Sequence, residues 1–237
     1  MSLAPSEIAA NLAAVRAKIA AAVARRGPGP EPTLIGVGKK QPAAAVIAAC
    51  QAGLVDVGEN YAQEMVAKAA ELEAAGVRPR WHFIGPLQSN KARLVVGLGA
   101  RLHTVDRPSL VGELAKEVRK HGAAAPFELL VEVNIGAEPQ KAGVLPSDLP
   151  ALLDRLSGHP ELRCIGLMAI PPEGTPEATR PHFARLRELL RREAAVTRPG
   201  VALEHLSMGM SGDFEVAIEE GATMVRVGTA IFGARTP

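Results

Sequence analysis

The sequence has few cysteines and few aromatic residues. Among its 237 residues are two cysteines, Cys50 and Cys164, and aromatic residues make up 3% of the chain. This pattern excludes a disulfide framework and any C-x-x-C metal or redox motif. Both cysteines lie in apolar runs, as expected for buried thiols in a reducing compartment. So few aromatic rings do not provide a stacking surface for single-stranded nucleic acid.

The sequence also lacks an excess of one charge and a long apolar run. Lys and Arg number 27 against 25 Asp and Glu, a net charge of +2, which is too balanced for a nucleic-acid-binding or polybasic membrane protein. No stretch of about 18 residues is apolar and uncharged, so we expect no membrane span. The N-terminus carries Glu7 and no basic segment before an apolar one, so we expect no signal peptide and a cytoplasmic protein.

Several catalytic motifs are missing as well. The six histidines do not show the spacing of zinc ligands, and there is no H-E-x-x-H sequence. There is no G-x-S-x-G elbow, no P-loop and no G-x-G-x-x-G after an apolar run. We therefore expect no metal site, and neither serine hydrolysis nor nucleotide hydrolysis has its usual signature.

What the sequence does contain is a regular alternation of short apolar runs and helical segments. A first helix, with Ser6 as its cap, carries one apolar stripe and ends before Gly27. The stripe consists of Ile8, Leu12, Val15, Ile19 and Val23. Strands are then predicted at 33–39, 54–58, 80–85, 101–105, 127–135, 162–170, 203–207 and 224–227. Helices are predicted at about 42–52, 60–75, 88–98, 108–121, 146–157, 176–194 and 212–220.

This alternation predicts a parallel sheet with helical crossovers. About eight strand–helix units in so short a chain favour an α/β fold with a closed (β/α)8 TIM barrel and an extra N-terminal helix. No linker divides the chain, so residues 1–237 are interpreted as one domain. An open doubly wound sheet is the alternative.

Lys39 is the first candidate site residue, because reactive groups of such barrels stand at the carboxyl ends of strands. Side chains alternate along a strand, so Lys39 shares a face with Ile35 and Val37, whereas Lys40 points away. If Val37 faces the interior, Lys39 stands at the barrel mouth above an apolar floor. Partial desolvation and a neighbouring cation there favour the uncharged amine that Schiff-base chemistry needs. The alternative is a pair of solvated lysines.

The segments that follow strands seven and eight are candidates for an anion site. Residues 207–213 contain two glycines and two serines before a helix, and Gly228 and Thr229 follow the eighth strand. Small residues let backbone N–H groups approach an anion, and these two loops bind phosphate in many barrels. Tight turns that need glycine are the alternative.

Each of three further polar residues has a structural and a functional interpretation. Arg226 interrupts an apolar strand and, once buried, needs a partner, which is either Glu132 or a bound ligand. Asn60 is either a site residue or the cap of the next helix. His82 is more typical of a hydrogen-bonded core histidine than of a catalyst.

A lysine that faces a phosphate site suggests pyridoxal 5'-phosphate (PLP), which has an aldehyde at one end and a phosphate at the other. Residues 57–61, 81–91, 166–170, 206–211 and 224–233 resemble the signatures of the pyridoxal phosphate homeostasis protein family. The block W-H-F-I-G-P-L-Q-S-N-K is the most specific, and the similarity extends from about residue 34 to residue 235.

The resemblance implies a barrel like the N-terminal domain of bacterial alanine racemase, with PLP held as a Schiff base on Lys39. It implies that the cofactor is surrounded by Ser207, Gly209, Arg226, Gly228 and Thr229, most of them at its phosphate, with Asn60 as a weaker candidate. By analogy with alanine racemase, Arg226 would instead approach the pyridine nitrogen. The family's second lysine falls on Gln41 here, which puts any role of that lysine in doubt.

The resemblance also implies a cytosolic protein that binds PLP without a demonstrated reaction and affects vitamin B6 balance. PLP-dependent apoenzymes are possible recipients of the cofactor. We expect a monomer, because the second domain through which alanine racemase forms dimers is missing.

Two enzymes are the competing hypotheses. A racemase needs an acid/base group on each face of the substrate carbon. The second base of alanine racemase is a tyrosine from the partner's second domain, and the single tyrosine here is Tyr61. A Schiff-base aldolase usually carries its lysine on a later strand. We therefore expect a PLP carrier without robust catalysis and keep a weak racemase as the alternative.

Overall fold

Eight parallel strands close into a barrel in the computed structural model, which describes residues 3–122 and 125–234. Each strand pairs with the next along the chain, and the last pairs with the first through Thr33 and Met224. The closed barrel is confirmed, and the open sheet is wrong. The strands are β1 (Thr33–Val37), β2 (Asp56–Glu59), β3 (Arg80–Phe83), β4 (Arg101–Val105), β5 (Phe127–Glu132), β6 (Leu162–Met168), β7 (Val201–Ser207) and β8 (Met224–Val227).

The helices follow the strands at the predicted places. They are α1 (Pro5–Arg26), α2 (Ala43–Gln51), α3 (Ala62–Ala74), α4 (Ala92–Gly97), α5 (Pro108–His121), α6 (Leu149–Ser157), α7 (Pro176–Ala194), α8 (Phe214–Glu219) and α9 (Thr229–Phe232). A 3-10 turn at Ser89–Lys91 precedes α4. The predicted strands 33–39, 80–85, 127–135 and 162–170 are each shorter in the structure, 203–207 is longer, and the short α9 was not predicted. Within the described residues, no helix has both the length and the apolar character to cross a bilayer.

The start of α1 differs from the prediction. Ser6 is not its cap, because the helix begins at Pro5, which is already fixed at a helical φ. The carboxylate of Glu7 instead accepts a hydrogen bond of 2.7 Å from the backbone N–H of Ala4. The apolar stripe is buried as predicted, with Ala22 buried and Val23 partly buried at its end. Through it α1 packs against α2, α8 and α9.

The apolar core has two parts. The larger part lies between the strands and the surrounding helices. The smaller part joins residues of β1, β5, β6 and β8, which can meet only inside the barrel; these are Ile35, Leu130, Ile165, Met168 and Met224. The interior also holds buried polar side chains from several strands, among them His82, His103, Ser207 and Arg226. This interior is thus only partly apolar.

Candidate functional site

A cavity of about 380 Å³ opens at the carboxyl ends of the strands. Its size falls within the range of small-molecule sites, roughly 300–1,000 Å³. It is lined by Val37, Lys39, Asn60, Ile84, Ile170, Met210, Ser211, Gly212, Arg226, Gly228 and Thr229. The structure therefore brings together the predicted residues from the ends of β1, β2 and β8. It does not include Ser207 or Gly209 in the lining.

Lys39 stands two residues beyond the end of β1 and is half-buried. The backbone N–H of Gly38 still bonds to the carbonyl of Gly58, at 3.0 Å, so the chain stays in register with β2 up to this point. Lys40 then adopts a left-handed conformation with φ of 58°, and its side chain is exposed. The two lysines therefore face different surroundings. The Nζ atom of Lys39 lies 5.9 Å from the ring centroid of Tyr61.

The buried Lys68 on α3 holds the turn that carries Lys39. Its Nζ donates to the carbonyl of Gly38 at 2.5 Å, to Glu59 at 2.5 Å and to Glu64 at 2.7 Å. Glu64 in turn accepts a 2.9 Å hydrogen bond from the backbone N–H of Lys40. The backbone on both sides of Lys39 is therefore fixed by one ion-pair cluster, which the sequence reasoning did not find.

Asn60 follows β2 at the edge of the same cavity. Its alternative role as a helix cap is wrong, because α3 begins at Ala62 with Tyr61 at the cap position. Its backbone N–H donates to the carboxylate of Glu59 at 3.2 Å. The loop after β3 passes very close by, since a Cβ at Gly85 would lie 2.2 Å from the carbonyl oxygen of Asn60. Glycine at 85 is therefore needed for this approach.

Hydrogen-bond donors converge after β7 and β8. Ser211 Oγ accepts from the backbone N–H of Gly228 at 3.2 Å and from that of Ala230 at 3.5 Å, and it lies 3.4 Å from Thr229 Oγ1. Two backbone N–H groups and two hydroxyls thus meet at one side of the cavity, an arrangement that suits a phosphate. Ser211 was missing from the predicted site residues, although the glycine- and serine-rich segment that contains it was recognised.

Gly209 and Ser207 do not line the cavity but contact Arg226, which does. Gly209 has φ of +91°, and a Cβ there would lie 2.9 Å from the backbone of Phe214. Its carbonyl accepts a 3.0 Å hydrogen bond from the backbone N–H of Arg226. Glycine therefore lets the turn after β7 pack against both α8 and β8. Ser207 is fully buried inside the barrel and contacts Arg226.

Arg226 is buried, and its guanidinium lies at the boundary between the barrel interior and the cavity. Its Nη1 donates to Ser207 Oγ at 2.7 Å and its Nη2 to the carbonyl of Ala169 at 3.1 Å. Burial lowers the pKa of Arg226 to about 10, an effect that the charges of Glu132 and Asp213 oppose. The side chain therefore remains a cation at neutral pH.

Glu132 influences Arg226 through its charge and not through a direct contact. Within residues 3–122 and 125–234, no ion pair joins the two side chains, so the alternative in which Glu132 is the direct partner is wrong; Ser207 and the carbonyl of Ala169 are the partners. Burial raises the pKa of Glu132 to about 7, with a further contribution from Asp106 and an opposing one from Arg226. This carboxyl group therefore titrates near neutral pH.

His82 lies inside the barrel and not at its mouth. It is 1% exposed and bonds to Asp56 and to His103, which agrees with its interpretation as a core histidine. Gln41, at the position of the family's second lysine, is buried, and its backbone N–H closes the turn by a 2.9 Å bond to Gly38. Among the residues described here, no three His, Cys, Asp or Glu side chains are grouped to hold a metal ion.

Fold and site together define a (β/α)8 barrel of the alanine racemase type, with a lysine after β1 and a turn rich in hydrogen-bond donors beside β8. Residues 10–236 match the family described as alanine racemase, N-terminal domain. The chain is 46% identical to the pyridoxal phosphate homeostasis protein of Pseudomonas aeruginosa, covering 97% of this chain and 96% of that protein. It is 43% identical to that of Escherichia coli, covering 97% of each. The chain belongs to the pyridoxal phosphate homeostasis protein family.

Solved structures agree with this assignment. The structure of PipY from Synechococcus elongatus without PLP is 37% identical, with a TM-score of 0.84 over 95% of this chain and 100% of that chain. PipY with PLP bound has a TM-score of 0.82 with the same coverage. Alanine racemase from Streptomyces lavendulae is 21% identical, with a TM-score of 0.66 over 93% of this chain and 56% of that chain. That last likeness concerns the fold alone.

Proposed function

We propose that this protein binds PLP in the cavity at the carboxyl ends of the strands and serves intracellular vitamin B6 homeostasis, with the cofactor held as a Schiff base on Lys39. One observation carries the proposal: the lysine and the donors around Ser211 line the same cavity. PLP supplies an aldehyde, which forms a C=N bond with a lysine amine and releases water, and a phosphate at its other end. PipY, a 37% identical relative, has been solved with PLP bound.

The residues of the cavity suit the two ends of this cofactor. Ser211, Gly228 and Thr229 offer hydroxyl and backbone donors for the phosphate. Arg226 offers a buried guanidinium, which can donate hydrogen bonds but not accept them. Placed against the pyridine nitrogen, such a donor keeps that nitrogen unprotonated and weakens the ring as an electron sink. Asn60 contributes a polar group to the wall.

The lining also favours binding over catalysis. Within the part of the chain that the structure describes, the titratable side chains of the lining are Lys39 and Arg226. Racemisation needs an acid/base group on each face of the reacting carbon, and an arginine that stays charged is a poor base. We therefore propose a carrier without robust catalysis.

The remaining parts of the proposal concern the setting. We place the protein in the cytoplasm, where its two unpaired cysteines are stable, and expect it to supply PLP to apoenzymes. We expect a monomer, because the large exposed apolar side chains among the described residues, such as Val55, Leu145 and Val196, are few and lie far apart in the sequence. Light scattering that shows a stable dimer would contradict this last point.

The test is the visible absorption spectrum before and after borohydride, with mass mapping of the labelled peptide. We expect a yellow protein that bleaches on reduction, with pyridoxyl fixed on Lys39. Lys39→Ala should lose the reducible cofactor but keep its circular dichroism spectrum, because this half-buried side chain is not part of the core. Lys40→Ala, which alters the adjacent exposed lysine, is the matched control and should retain the label. A reducible cofactor in Lys39→Ala would refute the assignment.

A further inference from the structure

Five buried side chains form a continuous line of hydrogen bonds through the barrel interior. Asp56 Oδ1 lies 2.9 Å from His82 Nε2, and His82 Nδ1 lies 2.9 Å from His103 Nε2. His103 Nδ1 lies 2.8 Å from Ser207 Oγ, which lies 2.7 Å from Arg226 Nη1. We call this line the interior hydrogen-bond chain. It connects β2, β3, β4, β7 and β8 and ends at the cavity.

The two ends of the interior hydrogen-bond chain determine the direction of every bond in it. The guanidinium of Arg226 only donates, so Ser207 Oγ accepts from it, but a hydroxyl can accept two hydrogen bonds and this end alone does not fix the Ser207 proton. The ionised Asp56, which only accepts, fixes it: with neutral rings both histidines donate toward Asp56, and Ser207 donates to His103 Nδ1. His103 therefore carries its proton on Nε2 and donates it to His82 Nδ1. His82 then carries its proton on Nε2 and donates to the carboxylate of Asp56, which only accepts. No other arrangement with neutral rings makes all four bonds.

The charges at the far end support this direction. Asp56 starts β2 at the opposite end of the barrel from the cavity, and Arg80 Nε and Nη2 each donate to it at 2.9 Å. Burial raises the pKa of Asp56, but the hydrogen bonds from His82 and Arg80 outweigh that effect, so the group remains ionised. Burial lowers the pKa of both His82 and His103, so both rings are neutral.

We propose that His103, held by His82 and Asp56, is a positioning residue that fixes Ser207 and Arg226 in the arrangement they present to the PLP ring. The relation to PLP rests on the proposed function, whereas the proton arrangement does not. Among the described residues, the guanidinium of Arg226 has two hydrogen-bond partners, Ser207 and the carbonyl of Ala169. Without His103, the Ser207 hydroxyl can rotate and turn its proton toward Arg226, so the guanidinium loses a fixed acceptor.

The first experiment measures the tautomers directly. Two-bond proton–nitrogen NMR spectra of the 15N-histidine-labelled protein at pH 7.5 need no cofactor, and single substitutions assign the six histidines. We expect both His82 and His103 as neutral rings with the proton on Nε2. A proton on Nδ1 of either ring, or a doubly protonated ring, would overturn the proposal. This result is independent of whether the protein binds PLP.

The second experiment measures the effect on bound PLP. We expect His103→Phe to shift the visible absorption maximum and to speed PLP dissociation about tenfold, the loss of one hydrogen bond to a charged network. His103→Asn keeps an amide oxygen that can accept from Ser207, so it should recover most of the wild-type spectrum and rate. The exposed His121 provides the matched control, His121→Phe, which should change neither.

The outcomes separate the two proposals. If the wild-type protein takes up no PLP, the proposed function fails, and the tautomers still test the proton arrangement of the interior hydrogen-bond chain. If PLP binds but His103→Phe is folded and matches the wild type in spectrum and rate, the positioning role is wrong. If His103→Phe does not fold by circular dichroism, the tautomers decide, and a proton on Nδ1 of either His82 or His103 refutes the positioning role.

Discussion

Replacing Lys68 by methionine should destabilise the protein strongly and in a pH-dependent way. Lys68 is buried, and its side chain is the only cation that contacts Glu59 in the described residues. Methionine fills a similar volume but leaves the Glu59 carboxylate, which is 0% exposed, without its partner. It also removes the donor that bonds to the carbonyl of Gly38.

The expected loss in the free energy of unfolding is about 3–5 kcal/mol at pH 7, the typical result of removing one member of a buried ion pair. Burial already raises the pKa of Glu59, and the hydrogen bond from Lys68 opposes that shift. Without Lys68 the pKa rises further above its value in the unfolded chain. In the folded variant Glu59 is then protonated. The variant therefore keeps more of its free energy of unfolding at low pH and loses it as the pH rises through the folded-state pKa of Glu59. The destabilisation should therefore be smaller at pH 5 than at pH 7.

Urea unfolding at the two pH values measures this prediction. The matched control is Lys116→Met, which removes an exposed lysine paired with Glu113 on α5 and should cost at most about 0.5 kcal/mol. Borohydride labelling at Lys39 provides the functional readout, because Lys68 fixes the turn that carries that residue. A Lys68→Met protein within about 1 kcal/mol of wild type at pH 7, or with an equal loss at pH 5, would refute the reasoning.

Three further predictions follow from single sites. The free energy of unfolding of Glu132→Gln, measured with urea relative to wild type, should be about 2 kcal/mol higher at pH 8 than at pH 5, because the wild-type carboxyl, with its pKa of about 7, is destabilising once it is ionised. A difference between variant and wild type that does not change with pH would contradict this. Gly85→Ala should cost about 2 kcal/mol through its clash with Asn60, whereas Gly112→Ala, in open space on α5, should be neutral or stabilising. Ser211→Ala should keep the stability of wild type but release PLP about tenfold faster on dialysis, the effect of one lost hydrogen bond; an unchanged rate would remove Ser211 from the phosphate site.

The barrel and the approximate positions of its strands were predictable because they depend on local periodicity. Apolar runs that alternate with helices gave the eight strands, and the two-residue alternation along β1 separated Lys39 from Lys40. The observation that the loops after the last two strands bind phosphate in many barrels directed attention to Gly228 and Thr229, which line the cavity.

The remaining features depend on contacts between distant segments. The place of Ser211 in the cavity wall depends on the contact between the turn after β7 and the backbone of Gly228, which the local sequence does not show. Lys68 looks like an ordinary helix residue, since nothing in its local sequence shows that α3 directs it toward the carbonyl of Gly38. The interior bond between His82 and His103 depends on the register of the neighbouring strands β3 and β4, and the bond between His103 and Ser207 joins β4 to β7, which are not neighbours in the sheet.

The packing of α1 against α8 and α9 has a consequence for the order of folding. The side-chain amide of Asn11 donates to the carbonyl of Ile231 at 3.1 Å, across 220 residues of sequence. The β1–β8 pairing joins segments almost as far apart. The circle of strands and the circle of helices are therefore both completed only when the last strand has been synthesised. Such long-range closure makes folding slow, because α1 can bury its apolar stripe against α8 and α9 only after these C-terminal helices have been made.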